Sequence, residues 1–309
     1  MIVTTHASTL AITAAFVLCV CTGNADATDP AGQQKVSFNR ADTVSGPALL
    51  DRSMAPDAAE QDQYVFSAPP RESAQAANEI YGPIAEYLSK VTGKRVVFRY
   101  SSNWINYQSE MRKGEYDLLF DGPHLNAWRA AHLQHNILVK APGDTTFVVA
   151  VKRNNDKLQD LKQLMGRAIC GMSPPNLGTL TVLGQFDNPL RQPLIVSTQG
   201  WDRIYHEMQA GHCVAAILPT RNLAKYDPQG TATRVIFTAK TYPGQALSAG
   251  PRISPEDQAK IARAMTLPEA RTATTKLRDA YALSGDFLPV GKGEYAGVAS
   301  ILKDTWGYQ

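Results

Sequence analysis

Apolar residues follow two different spacings along the chain from residue 64 onward, and the two spacings alternate. Short apolar runs such as Tyr64–Ala68 and Arg95–Tyr100 have the length and composition of β-strands. Between them, Ser73–Val91 carries apolar residues at intervals of three and four, which is typical of an amphipathic helix. Asp117–Phe120 is the next strand-like run, and Pro123 follows it where the first turn of a helix accepts proline. This order predicts an α/β fold with a parallel sheet.

The same plan occurs twice. Two strands, Ile137–Lys140 and Phe147–Lys152, interrupt the alternation, which then starts again. The second copy alternates helices and strands over Leu158–Met165, Arg167–Met172, Gly178–Phe186, Pro193–Thr198, Trp201–Ala210 and Cys213–Leu218. Further strands are predicted over Thr233–Ala239 and Gln245–Ala249, and closing helices over Pro255–Met265, Glu269–Leu283 and Tyr295–Leu302.

Two copies of one plan predict two doubly wound lobes joined by a hinge. We expect residues 64–145 and 245–309 to form the first lobe and residues 146–244 the second. Linking segments near 140–150 and 238–250 would let the lobes close around a ligand. Because ligands of open α/β sheets bind outside the carboxyl ends of the strands, the site is expected in the crevice between the lobes.

The N-terminus has the features of a signal peptide. Leu10–Val20 is apolar but too short to span a bilayer, and Ala25–Ala27 offers the small residues that signal peptidase recognises. We therefore expect residues 1–27 to be removed, a flexible leader over 28–63, and export to the periplasm. A lipid anchor at Cys21 and an uncleaved membrane anchor are the alternatives.

Composition and charge exclude several classes of protein. Apolar residues make up 44% and charged residues 19%, which is too apolar for a disordered chain. The formal net charge is +3 with no basic run, so nucleic acid is not expected as a partner. After export, Cys170 and Cys213 are the remaining cysteines, and an oxidising compartment favours one disulfide between them over two buried thiols.

Three predicted strand-to-helix junctions face the crevice and favour an anion. They contain Ser67 and Arg71, then Asp121 and His124, then the segment 173–179. Each ends at a helix N-terminus, where free N–H groups and the helix dipole attract negative charge. In the third junction the side chains of Ser173, Asn176 and Thr179 can also donate. Alternatively, Asn176 or Thr179 merely caps its helix.

Other candidate binding residues are aromatic or cationic. Trp104 follows the second strand and Trp201 opens a helix of the second copy, so both are predicted to form walls of the crevice. Arg71 is suited to neutralise an anionic ligand. Alternatively, Trp104 covers the protein surface and Arg71 pairs with Glu72 in solvent.

A metal site is a weaker possibility. Asp121 and His124 could ligate a metal, assisted by His132 and His135, although His132 and His135 also suit the C-terminal end of a helix. No Gly-x-Ser-x-Gly elbow, P-loop, HExxH or CxxC motif occurs in the sequence. We therefore expect no enzyme activity and no cofactor.

Part of the first lobe resembles a known family. The sequence from Tyr81 onward reads YGPIAEYLSKVTGKRVVFRYSSNWINYQSEMRKGEYDLLFDGP. It is similar to the substrate-binding proteins of phosphate, phosphite and phosphonate ABC importers, which are type II periplasmic binding proteins. The resemblance covers roughly 64–265 and implies a two-lobed fold, a small ligand and an inner-membrane permease as partner. We expect a monomer.

The resemblance also indicates where ligand-binding residues differ from the family. Trp104 stands where the family has an aromatic residue. The family's Ser-Thr-Ser-type turn is replaced by the segment 173–179, which contains two prolines and so lacks two N–H groups. Trp201 and Val214 stand where phosphonate binders have His and Asp.

The sequence therefore predicts a periplasmic binding protein that captures a small, phosphonate- or phosphate-like anion by closing its lobes. Asp121 and His124 are expected to discriminate between ligands, by accepting a proton or by their charge. Three alternatives stay open: a metal or metal-chelate carrier, a sensor that feeds a signalling partner, and an enzyme on the same fold.

Overall fold

The computed structural model describes residues 63–307 and contains two β-sheets. The predicted signal peptide, most of the leader and Cys21 lie outside this part of the chain. The strands are β1 (Gln63–Ser67), β2 (Arg95–Phe98), β3 (Leu118–Asp121), β4 (Asn136–Lys140), β5 (Phe147–Lys152), β6 (Ala168–Gly171), β7 (Leu194–Ser197), β8 (Ala215–Pro219), β9 (Thr233–Thr238), β10 (Ala246–Ala249) and β11 (Leu288–Pro289). The helices are α1 (Ala74–Thr92), α2 (Trp104–Arg112), α3 (Pro123–His132), α4 (Leu177–Leu183), α5 (Trp201–Ala210), α6 (Thr220–Tyr226), α7 (Pro255–Met265), α8 (Ala270–Ala273), α9 (Thr275–Ala280) and α10 (Ser300–Trp306).

The first sheet has six strands in the order β11-β4-β10-β3-β1-β2. Strand β1 lies between β2 and β3 and is parallel to both, as the alternation of strands and helices predicts. We call this sheet and the helices between its strands the first lobe. Its core packs the buried face of α1 against the sheet, with Tyr81 and Leu88 fully buried.

The second sheet has five strands in the order β7-β6-β8-β5-β9. Strand β6 is parallel to both of its neighbours. We call this sheet and the helices between its strands the second lobe. Its core includes a disulfide between Cys170 and Cys213, whose Cα atoms are 5.5 Å apart, and the predicted bridge is thereby confirmed.

The two lobes confirm the predicted fold class, but neither sheet is fully parallel. Strand β10 is antiparallel to β3 and β4, and strand β5 is antiparallel to β8 and β9. Both strands come directly after the chain crosses from one lobe to the other. Parallel pairing needs a crossover connection within one sheet, and these two strands have none before them.

The two crossings lie side by side. Thr145 and Tyr242 exchange two backbone hydrogen bonds of 2.7 and 2.9 Å, and Ala141 N donates to Gln245 O at 2.7 Å. These residues fall within the linking segments that the sequence predicts. The boundaries of the lobes stay a prediction.

Side-chain caps account for several helix boundaries. Helix α2 begins at Trp104 because the Asn103 side chain caps it by accepting a hydrogen bond from Asn106 N at 2.9 Å. The predicted helix over Leu158–Met165 is only a short 3-10 helix over Leu161–Leu164. The predicted helix over Glu269–Leu283 is divided into α8 and α9, and α6 is not predicted at all.

The final helix contacts both lobes. Helix α10 begins at Ser300, later than predicted, and packs against α3 of the first lobe and α4 of the second. Leu302 is fully buried in a cluster that also contains Trp104 and Leu180. Within residues 63–307, no helix is long and apolar enough to cross a membrane.

Candidate functional site

The carboxyl ends of strands from the two lobes face each other, and hydrogen bonds cross between them. Gly200 N, just before α5, donates to Arg71 O at 2.8 Å. The ring of His124, in the first turn of α3, lies 2.8 Å through Nε2 from Pro175 O of the second lobe. The facing junctions predicted from sequence are therefore in direct contact.

A buried cavity of about 10 Å³ lies beside these contacts. Five predicted binding residues line it: Arg71, Trp104, His124, Asn176 and Trp201. The other lining residues are Gly122, Pro123, Thr145, Phe147, Leu177 and Gln245. Both lobes and both linking segments contribute, so any movement of one lobe against the other changes the cavity.

Arg71 brings a positive charge to the cavity from the first lobe. Its side chain is buried, its Nη1 donates to Tyr281 Oη at 3.1 Å, and the guanidinium lies 5.7 Å from the centre of that ring. Burial alone would lower the pKa of Arg71, but Tyr281, Tyr81 and Glu72 together raise it above its ordinary value. Arg71 is therefore charged at every physiological pH.

Glu72 is the buried carboxyl group next to Arg71. Its Oε1 accepts from Tyr281 Oη at 3.0 Å, and its Oε2 has no hydrogen-bond partner. Burial raises the pKa of Glu72 to about 7, although Arg71 and the hydrogen bond from Tyr281 oppose the shift. The expected alternative of a solvated Arg71–Glu72 pair is therefore wrong, since both side chains are buried around Tyr281.

His124 is buried and neutral. Burial lowers its pKa to about 4, with Arg71 and Arg129 acting in the same direction. Gly122 allows the ring to fold back, because a Cβ at that position would lie 2.7 Å from the His124 ring. His124 therefore offers a polar but uncharged ring to the cavity.

Three lining residues carry buried polar atoms without a hydrogen-bond partner. They are Nδ1 of His124, Nε1 of Trp201 and Oε1 of Gln245. A buried polar group that lacks a partner destabilises the protein by about 1–3 kcal/mol, so a ligand that supplies the missing partner is stabilised there. Their presence around one cavity indicates a site for a polar ligand.

Aromatic rings form much of the remaining wall, as predicted. Trp104 and Trp201 each occupy the first position of a helix, and they are 8% and 4% exposed. Phe147, from the start of β5, lies 6.2 Å from Trp201 between ring centres. A Cβ at Gly178 would lie 2.5 Å from the Phe147 ring, so only glycine lets α4 approach this wall so closely.

Asn176 lines the cavity and also caps α4. Its Oδ1 accepts from Gly178 N at 3.0 Å and Thr179 N at 3.4 Å. The capping alternative therefore holds for Asn176, and these two N–H groups already have an acceptor. Thr179 is buried, and its hydroxyl donates to Met172 O at 2.6 Å.

Asp121 does not line the cavity, although the sequence placed it beside a ligand. Its carboxylate is fully buried and pairs with the Arg129 guanidinium at 2.7 and 2.9 Å. Tyr107 and Asn126 donate to the same carboxylate. All of these partners lie in the first lobe, so the group organises the interior behind His124.

Two predicted serines also lie away from the cavity. Ser67 is buried at the end of β1, and its hydroxyl donates to Arg99 O at 2.8 Å. Ser173 donates to Ser197 Oγ at 2.7 Å and faces a neighbouring open groove of about 600 Å³. Trp104 lines both this groove and the small cavity.

The histidines of the metal alternative do not converge on one point. His132 stacks on Trp128, with 4.8 Å between ring centres, and His135 is buried with Nδ1 3.4 Å from Ser248 Oγ. Among residues 63–307, no three His, Cys, Asp or Glu side chains are grouped as a metal site would require. Nothing in this part of the chain therefore supports the metal-carrier alternative.

Sequence reasoning missed the lining residues of the linking segments. Thr145, Phe147 and Gln245 lie in or next to the two crossings, which were predicted as hinges and not as parts of the site. The predicted hinge could have indicated these lining residues, because the segments that join two lobes lie at the bottom of the crevice between them. Tyr281 is more than 200 residues from Arg71 and Glu72 in sequence and carries no local signal.

Two lobes joined by paired crossings, with a cavity between them that is lined by aromatic rings and a few polar side chains, define a two-lobed ligand-binding protein. The model of the family described as "ABC transporter, phosphonate, periplasmic substrate-binding protein" matches residues 66–290. The chain belongs to this family, which confirms the resemblance seen in the sequence. Its members are substrate-binding proteins of transporters, which act in the periplasm with a membrane permease. None of the curated proteins matches the sequence.

Solved structures have the same fold at low sequence identity. PhnD1 from Prochlorococcus marinus in complex with methylphosphonate is 14% identical, with a TM-score of 0.63, over 79% of this chain and 98% of that one. A binding-protein component of an ABC phosphonate transporter from Pseudomonas aeruginosa is 14% identical, with a TM-score of 0.61, over 78% and 85% of the two chains. A Xanthomonas citri protein bound to ATP is 11% identical, with a TM-score of 0.61, over 79% and 98%.

Proposed function

We propose that this protein binds a small phosphorus oxyanion of the phosphonate class in the cavity between its lobes and passes it to an ABC permease. The observation that carries the proposal is the charge of the cavity. Within residues 63–307, Arg71 is the only charged side chain among the residues that line the cavity, and no carboxylate lines it. A buried cation in a small, largely apolar cavity favours an anion, because charges interact strongly where water is excluded.

The predicted residues fall into two roles in this proposal. Arg71 balances the ligand's charge, Trp104 and Trp201 enclose the ligand, and His124 and Asn176 make polar contacts. Three of the remaining predicted residues act indirectly, by holding the structure around the cavity: Ser67, Asp121 and Thr179. Ser173 contacts a ligand substituent that extends into the neighbouring groove.

Ligand entry requires the lobes to move, because a cavity of about 10 Å³ has room for little more than a water molecule. The paired crossings at Thr145 and Tyr242 supply a hinge for this movement. A ligand that contacts both lobes binds the closed form best and shifts the population toward it.

The bound ligands of related structures support the choice of phosphorus oxyanions. PhnD1 was solved with methylphosphonate and the Xanthomonas citri protein with ATP. The open groove next to Trp104 has space for a substituent larger than methyl.

We further propose that residues 1–27 direct export and that the mature protein acts as a monomer in the periplasm, with Cys21 available for lipid attachment if cleavage occurs before it. The first lobe would comprise 64–145 and 245–309, and the second 146–244. No enzyme activity, cofactor or nucleic acid enters this proposal.

The test is titration calorimetry on the full-length protein purified from the periplasm, with methylphosphonate, phosphite and phosphate. We expect at least one of them to bind, and replacement of Arg71 by Met to weaken that binding by at least about 30-fold, since a buried charge partner is lost. The matched control is Arg271→Met, because Arg271 is 60% exposed and pairs with Asp286. Equal affinity in the Arg71 variant and the wild type would contradict the proposal.

A further inference from the structure

The proton on the His124 ring can be located from its partner. Pro175 O is a carbonyl oxygen and only accepts hydrogen bonds, so Nε2, at 2.8 Å, carries the hydrogen. In a neutral imidazole the other nitrogen then has a lone pair and only accepts. Nδ1 is therefore an acceptor; it is buried without a partner, on a residue that lines the cavity.

Burial is the main reason that the His124 ring stays neutral, because it lowers the pKa of the ring, and the surrounding charges act in both directions. Arg71 and Arg129 oppose its protonation, whereas Asp121 favours it. The Asp121 carboxylate, however, is paired directly with Arg129. Glu72, beside Arg71, is the other titratable group near the cavity.

The cavity therefore offers two kinds of group to a ligand. The Arg71 guanidinium and the unpartnered Trp201 Nε1–H attract oxygen atoms that carry negative charge. His124 Nδ1 needs a hydrogen from the ligand, and Gln245 Oε1 is a second acceptor without a partner. A fully deprotonated oxyanion has no hydrogen to donate, and it would leave these two acceptors unmatched.

We propose that His124 selects oxyanions that keep an acidic hydroxyl, so that a phosphonate binds as the monoanion R–PO2(OH)⁻ and a sulfonate of the same shape is rejected. This inference rests on the proposed function and narrows its ligand to one protonation state. Sites built to hydrogen-bond a ligand hydroxyl discriminate strongly against analogues that lack it, because a buried polar group is left unpaired.

Methylphosphonate and methanesulfonate form the matched pair of probes. At pH 5.5 both are monoanions with a methyl group, and the phosphonate alone carries a hydroxyl. At pH 8.5 methylphosphonate has lost that proton, whereas methanesulfonate is unchanged. At pH 5.5 both probes carry one negative charge and Glu72, whose pKa is raised by burial to about 7, holds its proton, so the ratio of their affinities at this pH isolates the ligand's hydroxyl.

The experiment is calorimetric titration of both probes at pH 5.5 and 8.5 with the full-length wild type, His124→Phe and His132→Phe. In the wild type we expect methylphosphonate to bind at least about tenfold more tightly than methanesulfonate at pH 5.5, and this ratio to fall at pH 8.5. In His124→Phe the ratio at pH 5.5 is expected to approach one. His132, which is exposed on the same helix, should leave the ratio unchanged.

The outcomes separate this inference from the proposed function. Two results would overturn the inference but not the proposed function. One is tight binding of methylphosphonate and methanesulfonate with equal affinity, and the other is a ratio of the two affinities that is unchanged in His124→Phe. Absence of binding by methylphosphonate, phosphite and phosphate at both pH values would overturn the proposed function and the inference with it. If His124→Phe does not fold, the wild-type ratio at the two pH values decides.

Discussion

The two lobes border the same cavity but supply it with different chemistry. The first lobe contributes buried ionisable side chains, Arg71 and His124, with the Asp121–Arg129 pair behind them. The second lobe contributes uncharged side chains, among them Trp201, Phe147 and Asn176, and it makes hydrogen bonds to the first lobe through backbone atoms such as Gly200 N and Pro175 O. Its core is held by a disulfide where the first lobe has an ion pair.

This difference assigns separate tasks to the lobes. The ionisable side chains that line the cavity belong to the first lobe, whose interior contains the hydrogen-bonded Asp121–Arg129 pair. The backbone contacts made by the second lobe depend little on side-chain identity, and they hold the two lobes against each other. Substitutions of Arg71 or His124 in the first lobe should therefore change which ligand binds, and substitutions of lining residues in the second lobe should change how tightly a ligand is enclosed.

The largest expected loss of stability comes from the first-lobe ion pair. Replacement of Asp121 by Asn leaves the Arg129 guanidinium buried without its counter-charge, and we expect the free energy of unfolding to fall by about 3–5 kcal/mol. Urea denaturation measures this value. Asp279→Asn is the matched control, since Asp279 is 78% exposed in its pair with Lys225 and should contribute at most about 1 kcal/mol. Similar losses in both variants would refute the distinction.

Removal of the second-lobe disulfide should have a slightly smaller effect. The bridge closes a loop of 43 residues, and its loss in a Cys170→Ala/Cys213→Ala double variant should lower the free energy of unfolding by about 3–4.7 kcal/mol. Reductant should destabilise the wild type and leave the double variant unaffected. A wild type that is indifferent to reductant under unfolding conditions would contradict this expectation.

Glu72 gives the first lobe a pH dependence of its own. Because its pKa is raised to about 7, the folded protein holds this proton at pH values where the unfolded chain has released it. Stability therefore falls as pH rises from about 4.5 to about 7, by up to about 3 kcal/mol.

The measurement is the free energy of unfolding of the wild type and of Glu72→Gln at pH 5 and pH 8. The free energy of unfolding of the variant should increase relative to that of the wild type as pH rises. The lowered pKa values of His124 and His135 affect both proteins alike, so their contributions cancel in the difference. Glu79→Gln is the control, because Glu79 is exposed and its pKa is lowered, so it does not titrate in this window. A constant difference between pH 5 and pH 8 would rule out the buried titration.

The smallest expected loss of stability comes from removing a helix cap, and each lobe offers one cap for the comparison. Asn176→Ala and Ser254→Ala each remove a side chain that caps a helix, and each should lower the free energy of unfolding by about 0.5–2 kcal/mol. Only Asn176 lines the cavity, so only its replacement should also weaken methylphosphonate binding, as measured by calorimetry. Weaker binding in both variants would indicate a general loss of structure.

Much of the fold follows from local signals in the sequence. Apolar spacing and turn residues locate most strands and helices, and Pro123 stands at the first position of α3 as predicted. The antiparallel strands β5 and β10 were not predictable in this way, because their direction depends on where the chain enters a sheet. Helix α6 directly follows β8, and Pro219 is both the last residue of the strand and the residue before the helix, so no separate turn segment marks the start of α6.

The site was predictable where it coincides with strand ends. Arg71, Trp104 and Trp201 follow strands and line the cavity as expected. Asp121 has the same sequence context, yet its carboxylate is turned to Arg129, a partner that only the folded α3 brings within 2.7 Å. Whether a polar residue at a strand end faces a ligand or an internal partner depends on tertiary contacts that local patterns do not contain.

The paired crossings have a mechanical consequence. A single linker would let one lobe swing and twist freely, whereas two strands hydrogen-bonded at Thr145 and Tyr242 bend together about one axis and resist torsion. Two such crossings favour rotation of the lobes about one axis over twisting. A rotation of this kind would return Gly200 N to Arg71 O in the same register, so the crossings would also fix which atoms of the two lobes meet.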